Sequence, residues 1–197
     1  MSIKYIILVA ALCSCQNSIL KSKTKEFSNA TTQNLPFLTY YPYPHKLLIY
    51  SSKNGFGGAA YWKMLTKEKE KWYLVHCTFK MAVAVGESHY KFTKVAIDKS
   101  VANSMVAFLN SNKIWEIKDI DNGCEESEYK LRNKFGKIDP CVVHDGYTSV
   151  ITIVAKSKAV IKRYYRPEVW EDPSCCPGNK DRQAFMRCFN LLEGLAK

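Results

Sequence analysis

Residues 147–165 read YTSVITIVAKSKAVIKRYY. Val, Ile, Thr and Tyr fill both halves, and Lys156-Ser157-Lys158 interrupts them with polar residues, so Tyr147 to Ala155 and Ala159 to Tyr165 are predicted to pair as a β-hairpin. Pro167 ends it. Further on, Pro177-Gly178-Asn179 breaks the chain, and Asn179 or Asp181 caps a helix whose Phe185, Cys188, Phe189, Leu192 and Leu195 form one apolar stripe.

Upstream, Tyr40 to Ser51, Trp72 to Val85 and Tyr90 to Ile97 read as strands. In the second, Tyr73, Val75, Cys77, Phe79, Met81, Val83 and Val85 fall on one face at period two, which is expected to be the core face. Gly55 to Gly58 is a turn and Lys63 to Lys71 a charged hairpin loop. Asp98 or Ser100 caps a helix running to about Lys113, with Val101, Met105, Phe108, Leu109 and Asn112 on its covered side. Strands in runs, punctuated by two helices without regular alternation, predict an α+β fold: a meandering antiparallel sheet with two helices packed on one face.

The N-terminus carries an address. Lys4 supplies a positive charge, and the apolar run Tyr5 to Leu12 is too short to span a bilayer as a permanent helix. Leu12-Cys13-Ser14-Cys15 then resembles the lipobox of bacterial lipoproteins. That resemblance implies removal of residues 1–14 as a signal peptide and acylation of Cys15, a membrane anchor. Gln16 after the Cys, where some lipoproteins carry Asp, implies the outer membrane, and the absence of an acidic cluster favours its periplasmic face. Residues 15–34 are polar, rich in Ser, Thr, Asn and Lys, and are expected to be a flexible tether. Residues 35–197 have the size of a single α+β domain.

A formal charge of +11 at pH 7 calls for an anionic neighbour. Nucleic acid does not fit an exported chain without a helix-turn-helix or RNP-like pattern. Lipid head groups, lipopolysaccharide phosphates and acidic glycans do. The competing explanation is that dispersed lysines simply solvate the surface.

Beyond Cys13 and Cys15, the chain has Cys77, Cys124, Cys141, Cys175, Cys176 and Cys188. An even set in an oxidising compartment suggests disulfides, with fifteen pairings open. Cys124 and Cys141 flank a polar segment and are one candidate pair. Cys175 or Cys176 bridging to Cys188 is another, leaving the remaining one for Cys77 or free. The spacing matches no structural zinc site, so neither a metal nor another cofactor is expected.

Several constellations bear on chemistry. His76 and Cys77 are neighbours on a strand and point to opposite faces, which rules out a nucleophile-base pair. His144-Asp145-Gly146 offers a base and a carboxylate, although Asp-Gly before a strand is first a turn signal. Gly55-Phe56-Gly57-Gly58 fits neither a Walker loop nor a dinucleotide fingerprint. Arg163-Tyr164-Tyr165-Arg166 with Trp170 mixes cations and aromatics suited to sugars or phosphate, or else forms an edge strand with arginines outward. Tyr40-Tyr41-Pro42-Tyr43-Pro44 is a rigid aromatic segment that a partner could read or that packs as an edge.

The order of an amphipathic helix, Trp115, the Cys124 and Cys141 pair, His144-Asp145-Gly146-Tyr147, a hairpin, a Pro and a final helix resembles small uncharacterised lipoproteins of Gram-negative bacteria. The resemblance covers roughly Val95 to Lys197 and the signal, and it implies a fold without an activity. The expected function is a non-enzymatic binding or interaction protein of the cell envelope. The alternatives are an envelope hydrolase or transferase using His144 and Asp145, and an immunity protein against an exported toxin.

Overall fold

The computed structural model of the chain describes residues 22–35, 37–43, 45, 47–54, 61–80, 89–118, 146–172, 175 and 178–194. Seven strands, β1 (Ala30–Thr31), β2 (Leu47–Asn54), β3 (Tyr61–Glu68), β4 (Lys71–Lys80), β5 (His89–Ile97), β6 (Thr148–Ala155) and β7 (Lys158–Tyr165), join in one sheet of order β1-β7-β6-β2-β3-β4-β5. Every pair is antiparallel. Helices α1 (Phe37–Tyr40), α2 (Lys99–Ser111) and α3 (Lys180–Gly194) complete the α+β fold. Among the described residues no helix is long and apolar enough to cross a membrane.

The predicted hairpin is β6 and β7, in register from Thr148 opposite Tyr165 to Ala155 opposite Lys158. Lys156 takes a φ of 56°, the left-handed conformation that tight hairpin turns demand. The predicted helix start is also present: Asn179 Oδ1 accepts the backbone N–H of Arg182 at 3.0 Å.

Residues 63–71 are not a loop. Strand β3 runs through Glu68 and turns at Lys69-Glu70 into β4, with Glu68 opposite Lys71. Its lysines concealed the strand. Met64, Leu65 and Thr66 are buried between them, and Lys63 and Lys67 lay their stems along the sheet while their heads reach Glu193 and Glu70.

Because β2, β6 and β7 lie inside a sheet covered on both faces, their residues are buried at nearly every position, the polar Ser51, Ser52, Ser149, Thr152 and Lys162 included. Leu47, Ile49, Leu65, Trp72, Ile151 and Ile153 join the apolar faces of α2 and α3 in one cluster. Helix α2 packs on β4, and α3 on β2, β3 and β6. On the opposite face Leu48, Tyr50, Met64, Val75, Cys77 and Val154 form a second cluster with Leu35, Leu38 and Tyr41 of the N-terminal segment. The period-two face of β4 at Tyr73, Val75 and Cys77 therefore packs against that segment, and the helices cover Trp72 and Leu74. Met81, Val83 and Val85 lie outside the described residues.

Helix α2 buries Met105 and Leu109 as expected, but its covered face is turned by less than one residue toward Ala102 and Val106. Ala102, Met105, Val106 and Leu109 are buried, whereas Val101 and Phe108 are exposed. One residue is about 100° on a helix of 3.6 residues per turn, so a smaller turn is enough to carry that pair out of the contact stripe. Asp98 occupies the N-cap position without a side-chain capping bond.

The tether expected over 15–34 is folded from residue 22 onward. A helical stretch covers 22–26, Thr24 is buried and Phe27 packs against the helix-side cluster. Asn29 does most of the fastening: its amide nitrogen donates to the Ile161 carbonyl at 2.8 Å and its amide oxygen accepts the Ile161 N–H at 2.8 Å. That side chain imitates a paired strand residue. The strand predicted from Tyr40 begins at Leu47, since residues 37–40 form α1.

Candidate functional site

At the end of the sheet where β2 and β7 finish and β3 and β6 begin, polar side chains converge on the helix-bearing face. Lys53 and Ser51 stand two apart on β2 and share that face. Lys63 is the cross-strand partner of Ser51. Phe189 and Glu193, one turn apart on α3, close over them.

Glu193 organises one half of this cluster. Ser51 Oγ donates to Glu193 Oε1 at 2.8 Å. Lys63 Nζ donates to the Glu193 carbonyl and lies 3.7 Å from Glu193 Oε2. Ser51 is fully buried, so its hydroxyl, committed to a carboxylate and shielded from solvent, is a structural link and not an attacking group.

Lys53 dominates the other half. Its Nζ sits 4.7 Å from the Tyr147 ring centroid and 5.7 Å from that of Phe189, and it donates to Tyr147 Oη at 3.4 Å. Tyr147 Oη in turn donates to Glu168 Oε1 at 2.8 Å. Burial, and then Glu168, push the Tyr147 phenol up to about 12, with Arg166 working in the opposite direction. The Arg166 guanidinium lies 5.3 Å from the same ring and its Nε 3.2 Å from Glu168 Oε1. Two cations thus flank one tyrosine. The Lys53 ammonium has no carboxylate within ion-pair distance among the described residues.

The run Arg163-Tyr164-Tyr165-Arg166 does not act as one unit. Tyr164 is fully buried in the helix-side core, its ring tilted against that of Phe185 at 4.6 Å, and its hydroxyl donates to the Lys118 carbonyl. Arg163 and Tyr165, one position to either side, face the other way along β7. Tyr165 Oη accepts the Gly146 N–H at 2.8 Å, and Trp170 Nε1 donates to the Tyr165 carbonyl. Of the five residues, Arg166 alone reaches the Lys53 cluster. His144 and Asp145, and the glycines at 55, 57 and 58, lie outside the described residues.

The aromatic segment divides similarly. Tyr41 is buried, Tyr43 half-buried, and Tyr40 is exposed and stacked on Tyr90 at 4.6 Å. These rings cover the second face of the sheet.

Cysteine chemistry departs from expectation at Cys188. It is a free buried thiol turned into the helix-side core, and Cys77 is free and buried on the opposite face. Cys175 is disulfide-bonded, so no bridge joins it to Cys188. Cys15, Cys124, Cys141 and Cys176 lie outside the described residues. No group of three or more His, Cys, Asp or Glu side chains assembles as a metal site among the described residues.

Burial pushes the Cys77 and Cys188 thiols from 9.0 up to about 12. The folded value exceeds the unfolded one, so their contribution to stability is complete below about pH 9 and is lost as pH rises toward 12. Neither thiol should react with a disulfide reagent in the native protein at pH 8, and both should after denaturation. The urea midpoint should fall between pH 9 and 12. Rapid native labelling of Cys188 would contradict its position in the core.

An open depression of about 560 Å³ lies at the β3–β4 turn, lined by Glu68, Lys69, Glu70, Lys71 and Tyr73. Its charges alternate in sign and gather no single chemistry. Comparison with known protein families, curated proteins and solved structures finds no match for this chain.

Proposed function

We propose that this chain is a non-enzymatic binding protein of the bacterial cell envelope, anchored by lipid at Cys15 to the periplasmic face of the outer membrane. Its partner is an envelope protein, glycan or lipid that offers an anionic group to Lys53. The observation that carries this reading is the half-buried Lys53 ammonium, held between two aromatic rings with a tyrosine hydroxyl as its hydrogen-bond partner. A cation fixed there, with no carboxylate partner among the described residues, is suited to an incoming carboxylate or phosphate. The basic excess, +11 for the whole sequence and +10 once Lys4 leaves with residues 1–14, would draw such partners in, and the lipobox resemblance supplies the location.

Binding of the full chain in detergent to polyphosphate and to polyglutamate, at low and physiological salt, tests the reading. Affinity should fall with salt, because exposed charges are screened over about 8 Å at 0.15 M. Lys53→Gln should weaken binding about tenfold, the loss of one charge-assisted hydrogen bond. Lys25→Gln, at an exposed residue of the N-terminal helical stretch, should leave it unchanged. Equal losses from the two variants would reduce the effect to overall charge.

A further inference from the structure

The two edges of the sheet are finished differently. At the β7 edge, the Asn29 N–H donates to the Ala159 carbonyl, the Thr32 N–H donates to the Ser157 carbonyl, and the Asn29 amide occupies both backbone groups of Ile161. Among the described residues, the β5 edge has no neighbouring strand. It is nine residues long and pairs with β4 without a bulge from Trp72 opposite Ile97 to Lys80 opposite His89. Long, unbulged and free of proline, such an edge invites another strand.

Lysines commonly guard edges of this kind, yet Lys94 is withdrawn. Its Nζ lies 2.5 Å from Glu68 Oε2 and 4.3 and 4.0 Å from the ring centroids of Tyr43 and Tyr73. Lys91 remains exposed, and Val95 on the same face is 57% exposed.

We infer that the β5 edges of two copies of this chain pair antiparallel about Thr93, joining the two sheets into one. The β5 sequence is self-complementary in that register. Thr93 meets its own counterpart, Lys91 meets Val95, and Phe92 meets Lys94. All nine residues pair, and each lysine faces an apolar side chain. Registers centred on Lys91 or Lys94 would set ammonium groups opposite one another, which destabilises a pair. A two-fold contact between copies uses the same patch on each. With the β7 edge occupied, association closes at a dimer instead of continuing into a fibre.

Cysteine cross-linking of the full chain tests this in intact cells. Opposed residues in antiparallel strands have Cα atoms about 4.5–5.5 Å apart, within reach of a disulfide. Under mild oxidation, Thr93→Cys should move most of the protein to twice the monomer mass on a non-reducing gel. Lys91→Cys and Val95→Cys should each fail alone and succeed together. No dimer from Thr93→Cys, or equal dimer from all three single variants, overturns the proposal. Val95→Lys should abolish dimerisation by opposing Lys91 of the second copy, and adding Lys91→Glu should restore it. Failure of that restoration, with the double variant folded by circular dichroism, also counts against the register.

Discussion

Glu171→Ala should lower the unfolding free energy by about 3–5 kcal/mol, the range expected when one partner of a buried ion pair is removed. The residue itself is only partly buried; the loss arises from what it leaves behind. Arg182, in the first turn of α3, is fully buried and its Nε donates to Glu171 Oε1 at 2.7 Å. The same carboxylate accepts from Gln183 Nε2 at 3.1 Å and from the Gly178 N–H at 3.3 Å. Without it a guanidinium stays out of water beside the Trp170 carbonyl, which accepts from Arg182 Nη2 at 3.3 Å. Arg182→Met should cost less, because the freed carboxylate can be hydrated. The double variant Glu171→Leu/Arg182→Met should recover part of the loss. Urea unfolding of the four proteins measures the coupling, and a Glu171→Ala loss below about 1 kcal/mol would show that Arg182 finds other neutralisation.

The same carboxylate sets an acid limit. Burial opposes its ionisation, but the hydrogen bonds from Gln183, Arg182 and Gly178 outweigh burial and hold the group below its ordinary 4.5. A depressed folded-state value contributes stability above the unfolded pKa and loses it as pH falls through the folded one. Unfolding should therefore become easier below about pH 4.5, and Glu171→Gln should flatten that part of the profile.

Which parts of this molecule were legible depends on what kind of contact holds them. The β6–β7 hairpin and α3 declare themselves because their signals are local: branched residues on either side of a polar turn, and an Asn cap before an apolar stripe. The sequence of strand β3 resembles a loop because Lys63 and Lys67 look solvated, yet their heads find Glu193 and Glu70. Residues 22–34 resemble a tether in sequence because they contain little apolar surface. They dock through Asn29, whose partner Ile161 lies 132 positions away. The Lys53 cluster had no sequence signature at all. Ser51 and Glu193 meet across 142 positions, and only pairing of β2 with β3 and packing of α3 bring Lys63 to them. Conversely, the adjacent residues Arg163 to Arg166 looked like one site, but alternation along β7 sends them to different faces.

Trp72→Ala should be the other large loss, again about 3–5 kcal/mol. Trp72 is 1% exposed and among the largest fully buried side chains of the protein. It fills the space between β4 and α2, in the cluster that holds Ala102, Met105, Val106 and Leu109. A cavity there removes dispersion contacts as well as apolar burial. The indole carries an offsetting defect, because its Nε1 is buried with no hydrogen-bond partner among the described residues. An unsatisfied buried donor costs about 1–3 kcal/mol, so Trp72→Phe, which keeps most of the ring volume and deletes that donor, should lose less than half of what alanine loses. Urea unfolding separates the variants, and amide exchange locates the damage: in Trp72→Ala the amides of α2 should exchange faster than those of α3, which rests on β2, β3 and β6. Equal acceleration in both helices would mean that the two share one cooperative core and that Trp72 supports it as a whole, not the α2 contact alone.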